Sequence, residues 1–179
     1  MRRRSLVVVA SFAVLAPGRM LEAQRPISLG VAGGVSVPQG DLADGANTGW
    51  HALGTLALGS AMQPIGLRLD VAYNRFGFSD RVGTTIRDGH QSIGSATLNA
   101  SYRLPMTNSP ISPYLIAGLG AYRSDCSLGA VSCDAVTRFG WNAGLGARMR
   151  VLPFRTFVEL RYHRTSGIGY VPVTVGVML

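Results

Sequence analysis

Lysine is absent from this 179-residue chain, and all 17 basic residues are arginine. Without a lysine-rich arm, and with no basic run beyond the first residues, a nucleic-acid partner is not expected. Charge is scarce as well, at 15% of residues, although the chain is 47% hydrophobic. Long apolar runs are missing: the longest, Leu6 to Ala16, falls short of the roughly 20 residues a membrane-spanning helix needs, which excludes a helical membrane protein. Cysteine occurs only at Cys126 and Cys133, and histidine only at His51, His90 and His163, so neither forms a metal-ligand cluster and no cofactor is expected.

What is present begins with an arginine-rich start, Met1 to Arg4, followed by that short apolar run. This is the layout of a secretory signal peptide, expected to span residues 1–23 with cleavage after Ala23, leaving 24–179 as one domain. The expected mature chain carries 13 basic and 8 acidic residues, a modest excess. Export places the two cysteines in an oxidising compartment, where Cys126 and Cys133 are read as one disulfide closing a short loop, with a stabilisation of roughly 2 to 3 kcal/mol.

After the signal, glycine-rich apolar stretches of about ten residues alternate with turn-rich segments, and most alternate in character at every second residue. Eight such stretches are legible. In the third, Ile65, Leu67, Leu69, Val71 and Tyr73 alternate with Gly66, Arg68, Asp70, Ala72 and Asn74. In the sixth, Phe139, Trp141, Ala143, Leu145, Ala147 and Met149 oppose Gly140, Asn142, Gly144, Gly146, Arg148 and Arg150. In the seventh, Phe154, Val158, Leu160 and Tyr162 oppose Arg155, Phe157, Glu159, Arg161 and His163, and in the eighth Val171, Val173, Val175, Val177 and Leu179 share one face. The fifth, Pro113 to Tyr122, is apolar on both faces, and its orientation stays open.

Period two does not by itself say which face is inside, because a soluble barrel shows the same alternation. Composition decides. The polar face is mostly Gly, Ala, Ser, Thr and Asn, too small and too weakly charged for a soluble exterior but suited to a narrow lumen, whereas the bulky aliphatic face suits lipid. The fold expected is therefore all-β: an eight-stranded antiparallel up-and-down transmembrane β-barrel. Longer connections near 38–48, 77–90, 123–137 and 165–169 alternate with shorter turns near 60–64, 105–110 and 152–153, so with both termini in the periplasm the longer set faces outward. Trp50, Tyr73, Tyr102, Tyr114, Tyr122, Trp141, Phe154 and Tyr162 are read as interfacial girdles.

The signal sequence, the segment Pro113-Tyr114 followed by Gly118, Gly120 and Tyr122, and the alternating C-terminal strand Tyr170 to Leu179 resemble the small eight-stranded outer-membrane barrels of the OmpA transmembrane-domain and OmpX type. The resemblance covers essentially the whole mature chain. It implies location in the bacterial outer membrane among lipid and lipopolysaccharide, and recognition of the C-terminal strand by the barrel-assembly machinery. In such barrels the last residue is usually aromatic, where this chain has Leu179.

Candidate functional residues follow from the facing. Arg68, Asp70, Arg148, Glu159 and Arg161 point inward, where a buried charge is costly unless paired, and they are expected to form a lumen charge network that plugs the barrel. Arg75, Arg123, Arg138 and Arg164 fall near the outward strand ends, where guanidinium groups suit lipopolysaccharide phosphates. No catalytic site is expected. His163 and Ser166 are three residues apart, which in a strand sends the two side chains to opposite faces and separates a nucleophile from its base. The function expected is structural or surface-interacting; a narrow channel is the alternative, and a lipid A-modifying enzyme stands behind both.

Overall fold

The computed structural model describes residues 27–58, 64–82, 85–106, 109–128, 131–132, 134–151 and 153–179. The expected signal segment, the turn at 59–63 and Cys133 lie outside the described residues.

Among the described residues the strands follow in the order β1 (Ile27–Gln39), β2 (Gly49–Leu58), β3 (Ile65–Val82), β4 (Thr85–Arg103), β5 (Ile111–Leu128), β6 (Val131–Ser132), β7 (Val136–Val151), β8 (Phe154–Thr165) and β9 (Ile168–Met178). Each is antiparallel to its neighbours, β9 pairs with β1, and β4 pairs with β5. The sheet therefore closes into an eight-stranded barrel, with the two-residue β6 pairing with the far end of β5. Closure satisfies the strand edges within the wall, the condition hydrocarbon imposes on backbone N–H and C=O groups.

Register fixes the barrel's shape. From Ser28 the pairing runs through Ala57, Arg68, Asn99, Gly118, Asn142, His163 and Tyr170 back to Pro38, ten residues further along β1. A ten-residue offset over eight strands implies a tilt of about 40° and a bore that side chains just fill.

The facing follows the alternation. Leu67, Leu69, Val173 and Val175 lie on the exterior, 38% to 58% exposed, while Arg68, Asp70, Asn74, Asn99 and Asn142 are buried in the lumen. On β5, the stretch apolar on both faces, Tyr114, Ile116 and Tyr122 point inward and Leu115 and Leu119 outward. Tyr114 and Tyr122 are thus corrected from girdle residues to lumen residues: their rings fit because glycines stand beside them. A Cβ on Gly146, the cross-strand partner of Tyr114, would lie 2.6 Å from the Tyr114 ring, and one on Gly140 would lie 3.0 Å from Tyr122.

Two connections also differ from the turn-rich expectation. Beyond the last β2 pair, Trp50 with Arg75, the strands β3 and β4 stay paired from Phe76 with Gln91 to Val82 with Thr85. With 18 and 19 residues against the roughly 10 that cross a bilayer, this ribbon stands roughly 20 Å clear of the hydrocarbon. At the other extreme, residues 165–169 hold only a tight turn, Ser166-Gly167 between paired Thr165 and Ile168, with Gly167 at φ 79° where a Cβ would be strained.

Candidate functional site

The lumen is the most densely polar part of the molecule, and its filling is layered. At mid-height, β3 contributes Arg68 and Asp70 from one wall and β8 contributes Glu159 and Arg161 from the other. Arg68 Nη2 donates to both Glu159 oxygens at 2.5 and 2.6 Å and to Asp70 Oδ2 at 2.9 Å. Arg161 Nη1 donates to Asp70 Oδ2 at 2.9 Å, and its Nε stands 3.6 Å from Glu159 Oε2. Two acids and two bases thus form a neutral square, each side chain no more than 4% exposed. Asn99 on β4 adds a donor to Asp70 at 3.0 Å, and Asn142 on β7 donates to Asn99 at 2.8 Å. The network reaches across the bore from four strands.

Toward the long-hairpin end a layer of histidine, hydroxyl and amide groups follows. His51 bonds Ser36 and Thr174, and Ser36 donates to Asn74. His163 bonds the Tyr122 hydroxyl at 3.0 Å and stacks on Tyr170, with ring centroids 4.9 Å apart. Between the layers, lined by His51, Asp70, Thr97, Arg161, His163 and Tyr170, lies a cavity of about 10 Å³, room for about one water. Above, Leu42, Phe76, Ile93, Tyr122, Ile168 and Tyr170 form an apolar cap. Leu42 reaches it from the 3-10 turn Gly40–Leu42, which folds the chain back over the mouth after β1.

Arg148, expected in the network, stands apart at the short-turn end, its guanidinium 4.7 Å over the ring of Tyr114. Neighbouring Phe157 underlies Arg68 at 5.7 Å. Periodicity hid Tyr114 and Tyr122, because in sequence an inward aromatic looks like a girdle residue; the signal that could have found them is the neighbouring glycine.

On the exterior, Arg75 and Arg164 occupy equivalent settings. Trp50 pairs directly with Arg75 and stands 5.8 Å from Tyr73; Trp141 pairs directly with Arg164 and stands 5.7 Å from Tyr162. Two Trp-Tyr-Arg groups therefore face outward on β2–β3 and on β7–β8, both toward the long-hairpin end. Arg123, also exposed, lies opposite Gly94 and Thr137. Arg138 belongs to the inward series instead and donates to the Ser166 carbonyl at 2.9 Å. Ser166 sits at the exposed tip of the β8–β9 turn while His163 is buried and bonded to Tyr122, so the two are not brought together. Cys126 is disulfide-bonded.

A closed eight-stranded wall with an aliphatic exterior and a polar filling is the architecture of an outer-membrane barrel. The profile of the outer membrane protein beta-barrel domain matches residues 5–172, and the chain belongs to that family; its place is the bacterial outer membrane. Among solved structures the chain is similar to Neisserial surface protein A, at 19% identity over 86% of this chain and 96% of that one, with a TM-score of 0.64. It is similar also to Ail, the attachment invasion locus protein of Yersinia pestis, at 15% identity over 85% and 95% with a TM-score of 0.56. The N-terminal barrel domain of Pseudomonas aeruginosa OprF matches at 13% identity over 85% and 97%, with a TM-score of 0.51. No curated protein matches by sequence.

Proposed function

We propose that this barrel is a side-chain-plugged scaffold that holds its long hairpins outward for interaction at the cell surface. The observation that carries the reading is the lumen: the charge square, the histidine and tyrosine layer and the apolar cap follow one another across the bore. A bore this filled suits display better than passage. Both termini then lie on the periplasmic side, and the β3–β4 ribbon and the end of β5 project outward. The staple between Cys126 and Cys133 would restrain the third exterior segment, and binding specificity would reside in these segments, as it commonly does on a rigid frame. The similar Ail protein is named for attachment and invasion, which accords with a surface role.

In the same reading the matched Trp-Tyr-Arg groups sit at the outer interface, each offering two aromatic rings to the headgroup region and one guanidinium to a lipopolysaccharide phosphate, with Arg123 beside them. The C-terminal strand β9 is the segment offered to the barrel-assembly machinery. Planar-bilayer recording on the purified folded barrel tests the scaffold: a silent membrane is expected, and stepwise ion conductance would replace the scaffold by a channel.

A further inference from the structure

The two ends of the barrel differ in charge. From Ile27 onward there are eight acidic residues, and none of them lies at the short-turn end: Asp70 and Glu159 are in the mid-lumen square, and Asp41, Asp44, Asp80, Asp88, Asp125 and Asp134 fall toward the long hairpins. Arginines gather where acidic side chains are missing, although the Leu179 carboxylate lies one residue beyond Met178, the cross-strand partner of Arg155. Arg150 and Arg155 are direct cross-strand partners at the β7–β8 hairpin, both exposed and both in the lumen-facing series of their strands. One step deeper, Arg148 lies with its guanidinium 4.7 Å over the ring of Tyr114. Among the described residues no carboxylate pairs with Arg148, Arg150 or Arg155.

Like charges directly opposite one another in a sheet cost stability, so the Arg150–Arg155 pair is a poor choice for a wall with nothing to bind. Guanidinium groups on directly paired positions can each offer paired N–H donors to phosphate oxygens, and a third, that of Arg148, lies over the Tyr114 ring. Because all three side chains belong to the lumen-facing series, the cluster opens into the mouth of the barrel and not into surrounding lipid.

We propose that the short-turn mouth is a phosphate-binding site in which Arg148, Arg150 and Arg155 hold a multivalent phosphate group of a solute from the compartment on that side. The same forks would accept a phosphate from an anionic lipid headgroup, and the test separates the two sources. Inorganic pyrophosphate is titrated into the mature barrel folded in a phosphate-free zwitterionic detergent at low salt, followed by calorimetry and by the arginine Nε–H resonances. Saturable binding is expected, weakened at least tenfold in R150Q/R155Q. Without pyrophosphate, R155Q is expected to raise the temperature at which the folded gel band is lost, and R150K/R155K is expected to bind more weakly than the parent because it keeps the charge but loses the forks. Absent saturation, or equal binding in R150Q/R155Q, would overturn the site. In nanodiscs, equal pyrophosphate affinity in phosphatidylcholine and phosphatidylglycerol supports the soluble occupant; loss of binding in phosphatidylglycerol alone overturns that assignment in favour of the lipid headgroup.

Discussion

At the scale of single residues, the barrel interior is governed by two rules that pull in opposite directions. At mid-height the charges meet as a closed set, and at several positions a ring fits where a neighbour has no side chain. Glu159 illustrates the first rule: it accepts from Arg68 and stands beside Arg161, so E159Q leaves two guanidinium groups to share Asp70. Breaking one partner out of a buried ionic set costs about 3–5 kcal/mol, and the loss should appear as a lowered urea midpoint for the barrel unfolding from lipid vesicles. Gly176 illustrates the second. A Cβ there would lie 2.5 Å from both the Phe157 ring and Ala32 Cβ, so G176A must displace the ring that underlies Arg68. Overpacking of this kind costs about 1–3 kcal/mol, and the same urea titration checks it.

At the scale of the strand, alternation converts sequence into environment with no intermediate. Leu69 on β3 is 45% exposed between cross-strand partners Leu56 and Leu98, midway between Ile65 and Tyr73, which places it near the centre of the hydrocarbon. Its neighbour Asp70 is 2% exposed and accepts from Arg68, Arg161 and Asn99 in the lumen. The substitution Leu69→Arg is therefore expected to cost about 2–4 kcal/mol of membrane stability, whereas Ile65→Arg, at the strand's short-turn end, should cost at most about 1 kcal/mol because the guanidinium can reach the interface. Comparing the folding free energies of L69R and I65R in vesicles of one lipid composition measures this gradient. The facing of β3, β7, β8 and β9 was legible in the sequence for this reason. That of β5 was not, since Tyr114, Ile116 and Tyr122 are as apolar as Leu115 and Leu119, and only the neighbouring strands decide which set finds room inside.

At the scale of the whole molecule, the wall and the exterior ribbons are separable. The β3–β4 ribbon leaves the barrel where β2 stops, and Cys126 lies on β5 beyond its last pair with β7, Ser124 with Val136. Reduction of the cysteines is accordingly expected to loosen the third exterior segment while leaving the wall intact. Protease nicking near residues 126–133 should accelerate in reductant, while boiled and unboiled samples keep their difference in gel migration; loss of that heat-dependent shift on reduction would show that the staple supports the wall itself.

Sequence alone determined that the chain forms a barrel and, β5 apart, which side chains face lipid, because both follow from a period of two and from strand length, quantities local to each stretch. It also supplied the inward charges one by one. What only the tertiary structure decided is which of them meet. Arg68 and Glu159 are 91 residues apart, and they touch because the pairing offsets of the intervening hairpins accumulate to a ten-residue stagger on closure. Local register, by contrast, leaves Arg148 over Tyr114 across the β5–β7 pair and sets Arg150 against Arg155 in the β7–β8 hairpin, at an end with no acidic side chain. Facing is a property of one strand, whereas height in the lumen is a sum over all of them, and no single stretch of sequence contains that sum.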